Sequence, residues 1–278
     1  MSQPDDCGAV PAAGGFERSF PAKVESRLAV SSKPSDGARS HLRGNGTDNA
    51  AGAKATEAFI VKEAVRLLVF DLDGTLVDSK VDLANSVNHA LGAYGIPAIP
   101  HQAIYSYVGD GATMLIRRAV GEERNGILRA VLETFLAHYR MHLLDTTAPY
   151  PGVPENLREW AGTYRMAVLT NKPLDMSRAV LSGLSLDRYF VDVVGGDSFE
   201  SKKPHPDGLL HIMRTQGASP GETVMVGDSR NDVLAGKQAG ARTCGVMYGI
   251  GVDGFAEYPP DFTIGKFPEL FDRIRPKT

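Results

Sequence analysis

The chain has 278 residues and a formal net charge of −3, from 30 basic and 33 acidic side chains. Hydrophobic residues make up 42% of it, enough for a sizeable core in one or two domains. A balance this close to neutral gives no reason to expect nucleic acid or an anionic membrane as a partner. No apolar run approaches the roughly 20 residues of a membrane helix, so we expect no membrane association.

The two cysteines and the N-terminus indicate a cytoplasmic protein. Cys7 lies in a polar segment and Cys244 in an apolar one, so a structural disulfide is not expected and a reducing compartment is the simpler interpretation. Two acidic residues, Asp5 and Asp6, lie near the N-terminus, where the basic and then apolar pattern of a signal peptide is not seen.

Residues 1–60 differ in composition from the rest of the chain. They are rich in Gly, Ala, Ser and Pro and offer too little apolar surface to offset the entropy cost of ordering. We therefore expect a disordered or poorly packed N-terminal extension. A transit peptide and a start site placed too early remain alternatives.

From Arg66 onward, short apolar runs alternate with helical patterns, which predicts an α/β fold with a parallel sheet. The runs are Leu67–Phe70, Met166–Leu169, Val191–Val194, Thr223–Val226 and Thr243–Met247. The helical patterns between the later runs are Leu174–Leu184, Pro206–Gln216 and Asn231–Ala239. Right-handed crossovers would place helices on both faces of a Rossmann-like sheet.

The interval between the first two runs is too long for one crossover helix. It contains helical patterns over Val81–Tyr94, Ala112–Val120 and Ile127–Leu144, and Pro149, Pro151 and Gly152 follow them. We predict a small α-helical domain inserted at residues 79–150, with the catalytic core formed by residues 61–78 and 151–278.

Polar side chains follow several of the predicted strands. They are Asp71 and Asp73, Thr170 and Asn171, and then Asp228 and Asp232, while Lys203 lies in a connection that could reach the same edge. Ligands bind at the carboxyl ends of strands in open parallel sheets. Several carboxylates in one crevice repel each other unless a cation lies among them, and hard oxygen ligands favour Mg²⁺. The pattern therefore predicts a site for a metal ion and an oxyanion such as phosphate.

Four segments in this order resemble the motifs of the haloacid dehalogenase-like superfamily. They are Asp71-Leu72-Asp73-Gly74-Thr75, Thr170-Asn171, Lys203 within Lys202-Lys203-Pro204-His205-Pro206, and Gly227-Asp228-Ser229-Arg230-Asn231-Asp232. A helical cap inserted after the first motif is also similar to that superfamily. Within it, Thr170–Pro173, Lys203–Pro206 and Tyr107–Ala112 resemble bacterial phosphoglycolate phosphatases.

The resemblance implies a role for each matching residue. Asp71 would be the nucleophile that forms an aspartyl-phosphate, and Asp73 would be the general acid and base. Mg²⁺ would be held by Asp71, Asp73 and Asp228, with Asp73 using its main-chain carbonyl. Thr170 and Lys203 would stabilise the transferring phosphate. Asp232 would bind neither the metal nor the phosphate directly, but would orient metal-bound waters or Lys203.

The resemblance also implies the substrate, a small phosphorylated metabolite that is most simply 2-phosphoglycolate. Asn171 joins Thr170 and Lys203 as a candidate for binding it. In the insertion, the candidates are the loop Gly109–Gly111 and the side chains of Arg117 and Arg118. Exposed helix charges are an equal interpretation of both arginines.

Several alternatives stay open at this point. A haloacid dehalogenase needs no metal, although Asp73 argues against it, and a sugar phosphomutase or pyrophosphatase would share the core motifs. A catalytically silent binding module belongs to a different class. His138 and His142 have a spacing found in zinc sites, but a helical surface or core position is the simpler interpretation. The protein could be a monomer or a homodimer.

Overall fold

The structure is a computed structural model, and residues 64–274 of it are described. The extension predicted for residues 1–60 lies outside the described residues. The strands are β1 Leu67–Phe70, β2 Val77–Asp78, β3 Ala148–Pro149, β4 Arg165–Leu169, β5 Asp192–Val194, β6 Thr223–Gly227, β7 Arg242–Val246 and β8 Phe262–Ile264. The helices are α1 Lys80–Ala93, α2 His101–Tyr105, α3 Ala112–Val120, α4 Leu128–Met141, α5 Val153–Trp160, α6 Leu174–Gly183, α7 Asp207–Gln216, α8 Arg230–Gln238 and α9 Glu269–Ile274.

Six of the strands form one parallel sheet in the order β5-β4-β1-β6-β7-β8. The strand β1 lies inside this sheet and is fully buried. Its side chains alternate between two apolar clusters, because successive residues of a strand point to opposite faces. Leu68 and Phe70 pack in the first cluster, whereas Leu67 and Val69 pack in the second.

Helices cover both faces of the sheet, as the sequence predicts. The first cluster contains side chains from α5, α6 and α9, such as Trp160, Val180 and Leu270. The second contains side chains from α7, such as Leu209 and Ile212. The predicted α/β fold with a Rossmann-like parallel sheet is confirmed.

The helices α1–α4 lie between β2 and β3, and we call residues 80–141 the helical insertion. The strands β2 and β3 pair antiparallel, with Val77 opposite Pro149 and Asp78 opposite Ala148. The chain therefore leaves the sheet region and returns to it through adjacent strands. Whether the insertion is a separate domain with the predicted bounds stays a prediction.

A buried carboxylate connects the start of the helical insertion to the segment that follows it. Asp82 of α1 is 1% exposed, and it accepts hydrogen bonds from the main-chain N–H and hydroxyl groups of Thr146 and Thr147, at 2.6–3.0 Å. Burial alone would raise the pKa of Asp82, but these hydrogen bonds outweigh it and lower the pKa.

The predicted strand runs and helical patterns agree with the structure to within a few residues. The elements β8, α2, α5 and α9 were not predicted, nor were the two short strands β2 and β3. Within residues 64–274, no helix combines the length and apolar character needed to cross a membrane.

Candidate active site

The carboxyl ends of three adjacent strands carry the predicted polar residues. Phe70, the last residue of β1, is paired with Val168 of β4 on one side and Val226 of β6 on the other. Parallel strands in register end at the same edge, so Asp71 lies between the segments that carry Thr170 and Asp228. The N–H of Asp71 donates to the carbonyl of Val226 at 2.9 Å, which fixes the backbone at this point.

Three buried carboxylates converge at this edge. Oxygen atoms of Asp71, Asp228 and Asp232 lie within 4.8 Å of one another. Burial raises the pKa of Asp71 to about 7, against the opposing effect of the Lys203 ammonium. Burial, together with the charge of Asp232, raises the pKa of Asp228 to about 6.

Lys203 supplies the positive charge inside this carboxylate cluster. Its ammonium lies 2.9 Å from Oδ1 of Asp71 and 2.6 Å from Oδ1 of Asp232. The other oxygen of Asp232 accepts from the N–H and hydroxyl of Ser229, at 3.0 and 2.7 Å. Both oxygens of Asp232 therefore accept hydrogen bonds, and Asp232 holds Lys203 against Asp71.

The Asp228 carboxylate is oriented by main-chain donors. Its Oδ2 accepts from the N–H groups of Ile250 and Gly251, at 2.7 and 2.9 Å. Gly74 lies so close that a Cβ there would be 2.2 Å from the same oxygen, and its φ is +88°. Only glycine meets both conditions, which explains Gly74 immediately after Asp73.

Asp73 is held by two side chains that were not predicted to belong to the site. The ammonium of Lys172 lies 2.9 and 3.2 Å from its two oxygens, and the hydroxyl of Ser79 donates to Oδ1 at 2.5 Å. Lys172 also donates to the phenol oxygen of Tyr139, at 2.5 Å. The sequence offered one signal for Lys172, its position next to the predicted motif residue Asn171. Tyr139 lies on an ordinary helical pattern and offered none.

Asn171 contacts both the core and the helical insertion. Its Nδ2 donates to the carbonyl of Lys203 at 2.9 Å and to that of Gly109 at 2.8 Å. Its buried Oδ1 has no donor among the described residues. An unsatisfied buried acceptor is costly, so a ligand that carries a hydrogen-bond donor would be favoured here.

A small cavity separates the strand ends from the helical insertion, and its volume is about 50 Å³. Its polar wall is formed by core residues, and its apolar wall comes mainly from the insertion. The lining residues are Asp71, Asp73, Leu83, Val108, Gly109, Gly111, Ala112, Leu115, Phe135, Leu136, Tyr139, Thr170, Asn171, Lys172, Pro173 and Met176.

The loop around Gly109 is tied to the core by several hydrogen bonds. Nδ2 of Asn231 donates to Oδ1 of Asp110 at 2.7 Å, and Nζ of Lys202 donates to the Asp110 carbonyl at 2.7 Å. Arg118 pairs with the Asp110 carboxylate and donates to the Tyr107 carbonyl. These contacts hold the insertion over the cavity.

The predicted candidates in the insertion have different locations. Gly109 and Gly111 line the cavity, whereas Arg117 and Arg118 do not. The Arg117 guanidinium contacts the sulfur of Met114 at 3.8 Å, so its binding role stays a prediction without a contact in this cavity.

Asp197 and the histidine pair singled out in the sequence, His138 and His142, do not line the cavity. Oδ1 of Asp197 accepts from the N–H of Leu174, at the start of α6. The rings of His138 and His142 stack at 4.1 Å, and the ring of His89 stacks on His138 at 3.8 Å. Within residues 64–274, the only histidine, cysteine or carboxylate group whose ligand atoms converge for a metal is Asp71, Asp228 and Asp232.

Comparisons with known proteins agree with the geometry. Residues 68–246 match the family described as haloacid dehalogenase-like hydrolase. A phosphoglycolate phosphatase from Vibrio vulnificus is 39% identical over 225 residues, which cover 77% of this chain and 98% of the relative. Phosphoglycolate phosphatase 1 from Pseudomonas aeruginosa is 40% identical over 202 residues, which cover 70% of this chain and 74% of that protein.

A solved structure gives the same result. The crystal structure of a predicted phosphoglycolate phosphatase from Haemophilus somnus superposes with a TM-score of 0.71 at 32% identity, covering 75% of this chain and 97% of that one. The resemblance noted in the sequence and the expectation of a phosphatase-type enzyme are confirmed. The chain belongs to the haloacid dehalogenase-like hydrolase family.

Proposed function

We propose that this protein hydrolyses a small phosphate monoester through an aspartyl-phosphate on Asp71, with Mg²⁺ as cofactor and 2-phosphoglycolate as the preferred substrate. The observation that carries the proposal is the buried grouping of Asp71, Asp228 and Lys203 beside a small cavity. The names of the relatives from Vibrio vulnificus and Pseudomonas aeruginosa support the choice of substrate.

The donor set fits a hard divalent cation. Carboxylate and carbonyl oxygens suit Mg²⁺, and the raised pKa values of Asp71 and Asp228 reflect a buried site that disfavours negative charge. Asp71, Asp228 and the main-chain carbonyl of Asp73 would hold the ion. When bound, it would neutralise the repulsion between the Asp71 carboxylate and the incoming phosphate.

The chain's own residues divide the reaction between them. A carboxylate oxygen of Asp71 attacks phosphorus and displaces the ester oxygen, which Asp73 protonates. Asp73 then removes a proton from the water that cleaves the aspartyl-phosphate and returns Asp71. Lys203 and the Thr170 hydroxyl stabilise the oxygens of the transferring group, and Asp232 keeps Lys203 in place.

The proposal is tested with a panel of phosphate esters and one labelling experiment. With Mg²⁺, we expect kcat/KM for 2-phosphoglycolate to exceed those for glucose 6-phosphate, 4-nitrophenyl phosphate and pyrophosphate. Acid quenching during turnover of ³²P-labelled substrate should leave label on the wild-type protein and none on Asp71→Asn. Asp197→Asn is the matched control, because this carboxylate lies outside the cavity, and it should turn over within about twofold of wild type.

Different failures remove different parts of the proposal. Wild-type turnover by Asp71→Asn would eliminate the aspartyl-phosphate. Activity that survives a chelator, together with halide release from a 2-haloacid, would favour a dehalogenase. A higher efficiency with sugar phosphates or pyrophosphate would remove the substrate assignment and leave the chemistry intact.

A further inference from the structure

The cavity beside Asp71 has an uneven charge distribution. Asp71 and Asp73 contribute carboxylates, and Lys172 contributes the only positive charge among the described residues that line it. Most of the remaining wall is apolar, from residues such as Leu115, Phe135 and Met176. A negatively charged group on the organic part of a substrate would be left unpaired against that wall, which is costly, unless it reached Lys172.

Lys172 is fixed in place by the core and by the helical insertion together. Its side chain is 4% exposed, and its ammonium contacts the Asp73 carboxylate and the Tyr139 phenol oxygen. The ammonium also lies 4.5 Å from the centre of the Tyr139 ring, within cation–π range. An ammonium has three hydrogens: Tyr139 accepts one, and the two oxygens of Asp73 can share another. The third can then be donated to an acceptor on the cavity side.

Tyr139 adds a second donor at the same point. Its oxygen accepts from Lys172, and no described residue accepts its own hydroxyl hydrogen. Tyr139 lines the cavity, so this hydroxyl is available to a ligand. An ammonium and a phenol hydroxyl side by side suit a carboxylate, which accepts on two oxygens.

The position of Lys172 matches the connectivity of the proposed substrate. Asp73 is the group proposed to protonate the ester oxygen, and the Lys172 ammonium lies 2.9 Å from it. In 2-phosphoglycolate a single carbon separates the ester oxygen from the carboxylate carbon, so the carboxylate must lie beside the residue that protonates the ester. The cavity volume of about 50 Å³ is several times the roughly 10–15 Å³ that one water requires. It therefore has room for a carboxylate.

Resting on the function proposed above, we infer that Lys172 and Tyr139 bind the carboxylate of the substrate and so select an acidic leaving group. Specificity would then depend chiefly on a core lysine next to Thr170 and Asn171, rather than on the arginines of α3. The insertion contributes Tyr139, which reaches the carboxylate only while α4 lies over the strand ends. Lys172 would thus link recognition of the substrate to closure of the cavity.

The test compares two esters of nearly equal size, 2-phosphoglycolate and 2-hydroxyethyl phosphate, which has an uncharged tail. The measured quantity is the ratio of their kcat/KM values. We expect Lys172→Met, which keeps the unbranched stem and removes the ammonium, to lower this ratio by about 50-fold or more, because a charged hydrogen-bond partner is lost. Tyr139→Phe should lower it by about fivefold, and Lys172→Met should weaken competitive inhibition by glycolate at least tenfold.

Lys237→Met is the matched control, because Lys237 is an exposed lysine of α8 whose ammonium donates to the Pro259 carbonyl, and neither residue lines the cavity. It should leave the ratio within about twofold of wild type. If Lys172→Met is poorly folded, Tyr139→Phe decides the matter, since it removes one hydroxyl and leaves no charge unpaired.

The outcomes separate this inference from the proposed function. Suppose that the wild-type enzyme prefers 2-phosphoglycolate but the variants lower kcat/KM for both esters equally. Lys172 would then only position Asp73, and the inference alone would be overturned. A wild-type enzyme that does not distinguish the two esters would overturn the substrate assignment, and the inference with it.

Discussion

The ammonium of Lys203 lies 2.6 Å from Oδ1 of Asp232, and both side chains are only 2% exposed. Burial alone would lower the pKa of Lys203, but the charges of Asp232 and Asp71 outweigh it and raise the pKa. The lysine therefore stays charged inside the protein. Since a buried charge without a partner is strongly destabilising, these groups depend on each other for stability as well as for any catalysis.

Replacing Lys203 should affect stability and turnover together. Lys203→Met leaves buried carboxylates without their cation, so we expect the free energy of unfolding to fall by about 3–5 kcal/mol and turnover to be lost. Asp232→Asn keeps the shape and leaves Lys203 paired with Asp71, so we expect kcat to fall by roughly 10- to 100-fold. Urea unfolding and steady-state kinetics measure both effects. Wild-type stability of Lys203→Met would contradict the buried ion pair.

The metal-free protein should lose stability as the pH rises. The pKa values of Asp71 and Asp228 are raised from the ordinary 3.8 to about 7 and about 6 in the folded protein. A group with a raised folded pKa contributes stability that is present below the unfolded pKa and is lost as the pH rises through the folded pKa. Between about pH 4 and pH 7, the free energy of unfolding measured with a chelator should therefore decrease.

Magnesium should reverse this loss. An ion that binds only the folded state at about 100 times its Kd contributes about 2.7 kcal/mol, so we expect millimolar Mg²⁺ to raise the Tm by several degrees at pH 7.5. Asp228→Asn should shrink the rise, whereas Asp253→Asn, in an exposed position outside the cluster, should not. A Tm that does not respond to Mg²⁺ would count against a metal at this site.

Asp82 should stabilise the connection between the insertion and the chain that follows it. Asp82→Ala leaves donors of Thr146 and Thr147 without a partner, so we expect the free energy of unfolding at pH 7 to fall by about 2–4 kcal/mol. Because the folded pKa is lowered, this contribution is present above the unfolded pKa and is lost as the pH falls through the folded pKa. The difference in free energy of unfolding between Asp82→Ala and wild type should therefore narrow near pH 3.

The control for this variant is Asp145→Ala, because Asp145 is exposed and pairs only with His142 among the contacts found in residues 64–274. We expect it to change stability by at most about 0.5 kcal/mol. If both substitutions changed the free energy of unfolding equally, the hydrogen bonds of Asp82 would not contribute the stability expected of them.

Asp110 should hold the loop of the insertion against the core. Asp110→Ala removes the acceptor for Asn231 and Arg118 but keeps the main-chain contacts of Gly109. We expect KM for the phosphate ester to rise by about 5- to 20-fold with a smaller change in kcat, since closure is weakened while the reacting groups are intact. Glu123→Ala, an exposed residue of the same insertion, is the control. A fall in kcat at unchanged KM would contradict this role.

The sequence predicted the parts of the site that follow strands. Asp71, Thr170 and Asp228 each come directly after a strand, and parallel pairing brings such ends together whatever the details of packing. Lys203 was harder to place, since it lies in a loop between β5 and α7, and the resemblance to known motifs located it. The site residues that follow strands were therefore predictable from local patterns, whereas Lys203 was not.

The contacts that depend on the insertion could not be predicted in the same way. Tyr139 reaches Lys172 only because α4 packs over the strand ends, and nothing in a helical pattern indicates which turn will face a lysine many residues away. Arg117 was an expected contact because of its charge, yet its side chain lies outside the cavity lining. The short strand β8 and the helices α2, α5 and α9 were missed because each spans too few residues to establish a period.

The antiparallel pair β2–β3 has a consequence for how this enzyme can change. Asp78 and Ala148 face each other, so a tight reverse turn could join them without rethreading any strand of the sheet. The segment between them can accordingly be lengthened, exchanged or removed while the carboxylates at the strand ends keep their places. Such a replacement would change the apolar wall of the cavity and leave Asp71, Asp228 and Lys203 in the core.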